Sequence, residues 1–339
     1  MSDNRSDRRS RRHYRQAVRP VAAPVQPADE QEVSKLLSGG TSKEAASTLK
    51  WPSGRKNVSR WSNVNWAAAV WLLAIHVGAL AAPWTFTWSA LALVVVLHWL
   101  CGGIGICLGY HRMLTHGSFS TYPWFRRFIA MIGCLAGEGP PLMWVANHRL
   151  HHARSDQEGD PHSPRDGNWW SHVFWLAFKV GGKNQKEFYR RWAPDLYQDR
   201  FLRGLDYAFI PLNLALSAAI TAAGYAIGGW DLAISWLVWA VAVRMVLVLH
   251  STWFVNSASH IWGYRNYETR DDSRNNWWVA LLTYGEGWHN NHHAHPRMAK
   301  HGHKWWEVDV TFLTIRALQK LGLAWDVIDY RSRSEKDAA

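Results

Sequence analysis

Cysteine is scarce in this chain, acidic residues are outnumbered, and the longest apolar runs are almost free of charge. The three cysteines, Cys101, Cys107 and Cys134, lie in apolar stretches and form no CxxC pair. Their placement excludes a disulfide framework, a zinc ribbon, a rubredoxin-type centre and a four-cysteine iron–sulfur cluster. Haem-binding HPGG and flavin-binding fingerprints are also missing. The first 60 residues lack the apolar h-region of a cleavable signal peptide, and no repeat of solenoid period is found. With 48% hydrophobic and 19% charged residues in 339, wholesale disorder and collagen-like character are excluded.

What is abundant is basic charge, tryptophan and histidine. The 38 Lys and Arg against 26 Asp and Glu give a net charge of +12, which taken alone would suit a nucleic-acid binder. The distribution argues otherwise. Residues 66–83, 90–110, 207–229 and 232–255 are apolar and long enough to cross a bilayer, which takes about 17–25 residues. The connectors are residues 84–89 and little more than Trp230 and Asp231, so the spans form two antiparallel hairpins. Every Lys and Arg except Arg244 falls in 1–64, 111–206 or 256–339. By the positive-inside rule those three segments face the cytoplasm, and the net charge reads as orientation and lipid attraction. No nucleic-acid partner is expected.

The expected fold is therefore an all-α integral membrane protein. Four transmembrane helices in two hairpins carry a helical cytoplasmic cap, residues 111–206 and 256–329, holding a histidine-rich dinuclear metal site. Residues 1–60 read as a disordered basic arm, 61–329 as the membrane domain and 330–339 as a polar tail. Trp61, Trp66, Trp84, Trp88 and Trp230 lie near span ends, as interfacial anchors do. The apolar segment 124–136 suits an in-plane interfacial helix, and Val308, Phe312, Ile315 and Leu318 recur at helical spacing. Gly105 and Gly109 read as close helix packing, and Arg244 as packing within the bundle.

Of the 18 histidines, nine fall in four clusters. They are His111 and His116 at the end of the second span, His148, His151 and His152 in the middle segment, His260 after Asn256, and His289, His292 and His293 near the C-terminus. Residues at i, i+3 and i+4 share a helix face, so each HxxHH is expected to aim three imidazoles at one point. Asn256 and His260 do the same at i, i+4. An ideal helix splays His111 and His116 by about 140°, so they fit a turn in the backbone or two different metals. Neutral imidazole is the commonest protein metal ligand, and nine are more than one four-coordinate zinc can use. Nitrogen ligands suit iron, zinc, copper or nickel; a dinuclear site beside hydrocarbon chains points to iron and O2. Asp156, Glu158, Asp160 and Glu286 do not share the ligand spacing. His76, His98 and His250 read as structural, and His13, His295, His301 and His303 as surface residues.

These motifs, HRMLTH at 111–116, NHRLHHARSDQEGDPHSP at 147–164, NSASH at 256–260 and GEGWHNNHHAHP at 285–296, resemble those of the membrane fatty-acid desaturases, within them the Δ9 group. The resemblance covers roughly residues 65–325. It implies a diiron centre held by His111, His116, His148, His151, His152, His260, His289, His292 and His293, with Asn256 acting through water. It implies O2- and electron-dependent insertion of a cis double bond into a saturated acyl chain, in a membrane enzyme whose metal site faces the cytoplasm. The family's bent substrate tunnel would be shaped here by Trp144 and Thr252. Trp99, twelve residues before His111, is a candidate to close its deep end. Acyl-CoA-using relatives carry a charged pair where this chain has Ala146 and Asn147, which favours a lipid-linked or carrier-protein-linked substrate over acyl-CoA. Asn147 and Arg149 are then headgroup candidates. No electron source is encoded, so a separate ferredoxin, rubredoxin or cytochrome b5-type donor is expected. The nearest alternatives are a membrane diiron fatty-acid or alkane hydroxylase, and a metal transporter. Transporters place ionisable ligands at bilayer depth, whereas these histidines lie outside the apolar spans.

Overall fold

The computed structural model describes residues 59, 61–182 and 184–329. Apart from Ser59, the N-terminal arm lies outside the described residues, as do His13 and the polar tail. The described residues are mostly helical, and their one two-stranded sheet pairs Ser120–Thr121 with Ala324–Trp325 antiparallel. That pairing ties the segment after the second helix to the end of the chain.

Helix α1 (Trp66–Ala79) starts at Asn65, whose side chain caps it, and α2 (Trp88–Thr115) starts at Thr87, whose hydroxyl accepts from the Ala90 amide at 3.2 Å. Residues 99–115 of α2 are wound as a π-helix. Four glycines in that stretch (Gly102, Gly103, Gly105, Gly109) weaken ordinary α winding and let neighbours approach closely. A Cβ on Gly105 would lie 2.7 Å from the Cα of Gly133, and one on Gly109 would lie 2.5 Å from Ile129 Cγ2. Both neighbours belong to α3 (Pro123–Cys134), so the small residues do serve close packing. Helix α3 is amphipathic as expected, burying Ile129, Ala130, Gly133 and Cys134 and exposing Trp124 and Phe128.

The chain then forms α4 (Pro141–Arg154), several short helices, and a helical stretch running from Arg200 to Ile261. Among the described residues three helical runs are long and apolar enough to cross a membrane, the third and fourth apolar segments lying in one 62-residue run. Only Gly228 and Gly229 leave helical geometry, and Gly229 has φ +69°, which favours glycine. They divide α5 (Arg200–Trp236) just before the expected connector. The chain folds back there: a Cβ on Gly224 would meet the Ala233 Cα at 3.0 Å, and the rings of Tyr225 and Trp230 are 4.8 Å apart. The second arm continues through a π-wound stretch, Leu237–Val243, into α6 (Arg244–Asn256).

Both turns lie at one end of the bundle. Thr87 Oγ1 is 2.8 Å from Ser235 Oγ, Trp236 Nε1 donates to Ser89 Oγ, and Trp239 Nε1 donates to the Ala82 carbonyl. All five expected tryptophan anchors are exposed. Arg244 is buried and donates to the Leu135 and Ala240 carbonyls, so it packs inside the bundle. His76 and His250 are joined at 3.1 Å and His98 meets the Tyr284 hydroxyl at 2.6 Å, a structural role in each case. Beyond a short helix at Trp277–Leu282 the chain forms α7 (His289–Ala294) and α8 (Val310–Lys320), whose Ile315 is buried.

Candidate metal centre

The nine histidines meet in two groups. His111, His116, His148, His152 and His292 form one; His151, His260, His289 and His293 form the other, and within each the ligand atoms lie within 4.8 Å of one another. The expectation that each HxxHH serves a single point is corrected. On α4, His148 and His152 (i, i+4) join the first group and His151 (i+3) the second. On α7, His289 and His293 join the second and His292 the first. Adjacent helical residues point about 100° apart, so i+3 and i+4 cannot aim at one ion as closely as i and i+4 can. Each motif therefore straddles the two groups.

The winding of α2 settles the spacing of His111 and His116. The His116 amide donates to the His111 carbonyl at 3.2 Å, an i→i+5 bond that stacks the two residues instead of splaying them. Their rings are 4.8 Å apart, in the same group.

Carboxylates fix the imidazoles from behind. His111 Nδ1 donates to Glu286 Oε2 at 2.7 Å, His260 Nδ1 to Asp156 Oδ2 at 2.7 Å, His293 Nδ1 to Asp271 Oδ2 at 2.8 Å and His151 Nδ1 to Asp160 Oδ1 at 2.9 Å. A proton held on Nδ1 leaves the Nε2 lone pair facing inward, the tautomer a metal needs. Across the first group, His111 Nε2 and His152 Nε2 each lie 3.0 Å from His292 Nε2. In the second, His289 Nε2 lies 3.0 Å from His260 Nε2. Both nitrogens of His116 and the Nε2 atoms of His151 and His293 are buried with no hydrogen-bond partner among the described residues. Buried, inward-facing lone pairs without donors are costly alone and suited to a cation between them. Burial, reinforced by the neighbouring imidazoles, holds His116, His148, His152, His289 and His292 well below the ordinary histidine range, and so neutral. The donor set fits two metal ions of more than four ligands better than a closed zinc site.

Asp156, Asp160 and Glu286 lack ligand spacing in sequence because they hold the ligands, and proximity to the histidine motifs is their one signal there; Glu158 is exposed and, among the described residues, holds none. Sequence reasoning also placed His301 and His303 on the surface, whereas both are buried. His301 lies against His292 and His111, with ring centroids 4.5 and 5.5 Å away. His162 stacks on His151 at 4.3 Å.

Trp144 and Thr252 converge on a residue not foreseen. Trp144 Nε1 donates to Glu138 Oε2 at 2.9 Å and Thr252 Oγ1 to Glu138 Oε1 at 2.6 Å. Trp144 also stacks on His148, with centroids 4.9 Å apart, so the pair lies beside the first group. Burial raises the Glu138 carboxyl to about 7. Trp99 lies lower on α2 near Gly103 and is exposed at 40%, so the structure does not enclose it as a tunnel end. Asn256 is the half-buried last residue of α6. Asn147 is buried, and its Oδ1 has no partner among the described residues. The Arg149 guanidinium pairs with Asp195 at 2.6 Å and donates to the Leu114, Thr115 and Trp192 carbonyls.

The fatty acid desaturase family model matches residues 86–309, which include all nine histidines. This chain belongs to the fatty acid desaturase family. The desaturase is 48% identical to the sn-2 palmitoyl-lipid 9-desaturase of Nostoc sp. (strain 36) over 79% of its length and 90% of the relative. It is 44% identical to the sn-1 stearoyl-lipid 9-desaturase of Anabaena variabilis, over 78% of this chain and 94% of that one. An acyl-CoA 5-desaturase of Anemone leveillei is 42% identical over 79% of this chain and 80% of its own. The family is one of oxidoreductases, and the relatives differ in the acyl carrier and the carbon attacked.

Proposed function

We propose that this desaturase introduces a cis double bond, at a Δ9-type position, into a saturated acyl chain of a membrane glycerolipid. The observation that carries the reading is the division of nine histidines into two carboxylate-backed groups. Two iron ions held there, with Asn256 contributing through water from the end of α6, would supply the O2-dependent oxidant that an unactivated methylene requires. Electrons would come from a separate ferredoxin, rubredoxin or cytochrome b5-type protein, for which the basic cap offers an attractive surface.

The chain's own residues select the carbon. Each methylene contributes about the same transfer energy, so uniform apolar contact cannot choose one pair; a fixed bend can. Trp144 and Thr252, locked to Glu138, are the residues we assign to that bend. Ala146 and Asn147 support a lipid carrier, as do the names of the two acyl-lipid relatives. Asn147 keeps a free buried acceptor for headgroup contact, whereas Arg149 is committed to holding α4 against the end of α2. We assign four crossings to the apolar helices, the two arms of Arg200–Ile261 counting separately, with the metal site on the cytoplasmic side; if the source is bacterial, the membrane is the cytoplasmic one.

The test is expression in a host with saturated lipids, with double-bond position read by mass spectrometry after derivatisation. A new cis-9 alkene confined to glycerolipids is expected. An alcohol at that carbon, or unsaturation confined to the acyl-CoA pool, would overturn the assignment.

A further inference from the structure

The two histidine groups are supported unequally. Asp156, Asp160 and Asp271 all back histidines of the second group, whereas among the described residues Glu286 is the one carboxylate hydrogen-bonded to a histidine of the first. Glu286 Oε2 accepts from His111 Nδ1 at 2.7 Å, and His301 Nδ1 lies 3.0 Å from the same oxygen. The other oxygen, Oε1, is held by Arg112 Nε at 3.0 Å. Arg112 Nη1 reaches Asp309 Oδ2 at 2.9 Å, and Asp309 Oδ2 accepts from the His301 amide at 2.7 Å. The residues form a closed ring: Arg112, Glu286, His301 and Asp309. The His301 carbonyl is fixed too, by Asn291 Nδ2 at 2.8 Å, and Asn291 precedes His292. His301 itself is 1% exposed; its Nδ1 meets Glu286 as an ion-pair contact outside hydrogen-bond geometry, and its Nε2 has no partner among the described residues.

We propose that His301 is a positioning residue for the metal of the five-histidine group, holding Glu286 so that His111 keeps its tautomer and aim. It rests on the two-metal reading above. With one carboxylate serving the first group, loosening it leaves nothing to take over, while the second group's three aspartates are untouched. Groups that orient a metal-ligating histidine from behind typically contribute roughly 10–100-fold in metal affinity.

The experiment challenges purified, iron-loaded protein with a chelator and counts the ions retained in wild type, His301→Ala and His301→Gln, with circular dichroism and thermal melting as fold controls. Wild type retains two ions. The alanine variant should release one of them roughly 10–100-fold more readily while keeping the other at the wild-type rate, and its remaining iron should give a single Mössbauer doublet. The glutamine variant, whose amide N–H can still donate to Glu286, should recover most of the lost retention. Two ions held equally well in both variants would overturn the assignment, and so would joint loss of both ions. A wild-type protein that takes up no metal would instead strike at the metal reading itself.

Discussion

Single side chains are where this molecule departs most from its sequence pattern. Glu138 is a plain glutamate in a Gly-Glu-Gly-Pro-Pro break, yet it joins Trp144 and Thr252. Its carboxyl titrates near 4.5 in an unfolded chain and near 7 when buried here. The folded state therefore holds a proton that the unfolded chain has released, and stability falls as pH rises from about 4.5 through 7. Above 7 the loss is complete, on the order of 3 kcal/mol for a shift of this size. Glu138→Gln is neutral throughout and can still accept from Trp144 while donating to Thr252, whose hydroxyl also reaches the Val248 carbonyl. The variant should melt higher than wild type at pH 8, with the gain shrinking at pH 5. An equal difference at both pH values would contradict the burial argument.

At the scale of elements, helix winding and close approach decide where the ligands go. The π-wound end of α2 stacks His111 on His116, and Gly105 lets this helix touch the backbone of α3. Gly105→Ala puts a methyl 2.7 Å from Gly133 Cα, where no flexible side chain can yield. Overpacking of this kind costs about 1–3 kcal/mol, and because the displaced helix carries His111 and His116, metal content should fall with melting temperature. Gly204→Ala has open space around it and is the control, neutral or slightly stabilising. Indistinguishable melting and metal content for the two variants would show that the helix contact does not matter. The histidine motifs themselves were legible by their spacing, but their allocation was not. The i, i+3, i+4 rule names a shared face, whereas which of two groups each side chain joins, with successive residues about 100° apart, depends on where α4 and α7 sit against each other.

For the whole molecule, the issue is sidedness. The α1–α2 turn and the fold-back at Gly228–Gly229 lie together, which requires the histidine-bearing ends to emerge opposite them if each arm crosses once. The three native cysteines are buried, so single introduced cysteines can be read without background. An impermeant maleimide should label Thr85→Cys and Asp231→Cys from outside intact cells. It should label Lys304→Cys only after permeabilisation. Labelling of all three from one side would refute the four-crossing arrangement. The charge distribution predicts this sidedness, and the labelling experiment tests it. The second fold-back needs only Gly228 and Gly229 to leave helical geometry, close to the short connector expected from the apolar pattern.

The sequence by itself determined that the chain is a membrane protein with nine clustered histidines, no thiolate alternative and no redox cofactor motif of its own. Those are properties of composition and spacing, written locally. Only the tertiary structure decided how the histidines divide, that Asp156 and Glu286 hold His260 and His111, and that His301 is buried among them. The physical reason is distance along the chain. The bond from His260 to Asp156 spans 104 positions and that from His111 to Glu286 spans 175, separations across which no local pattern carries a signal.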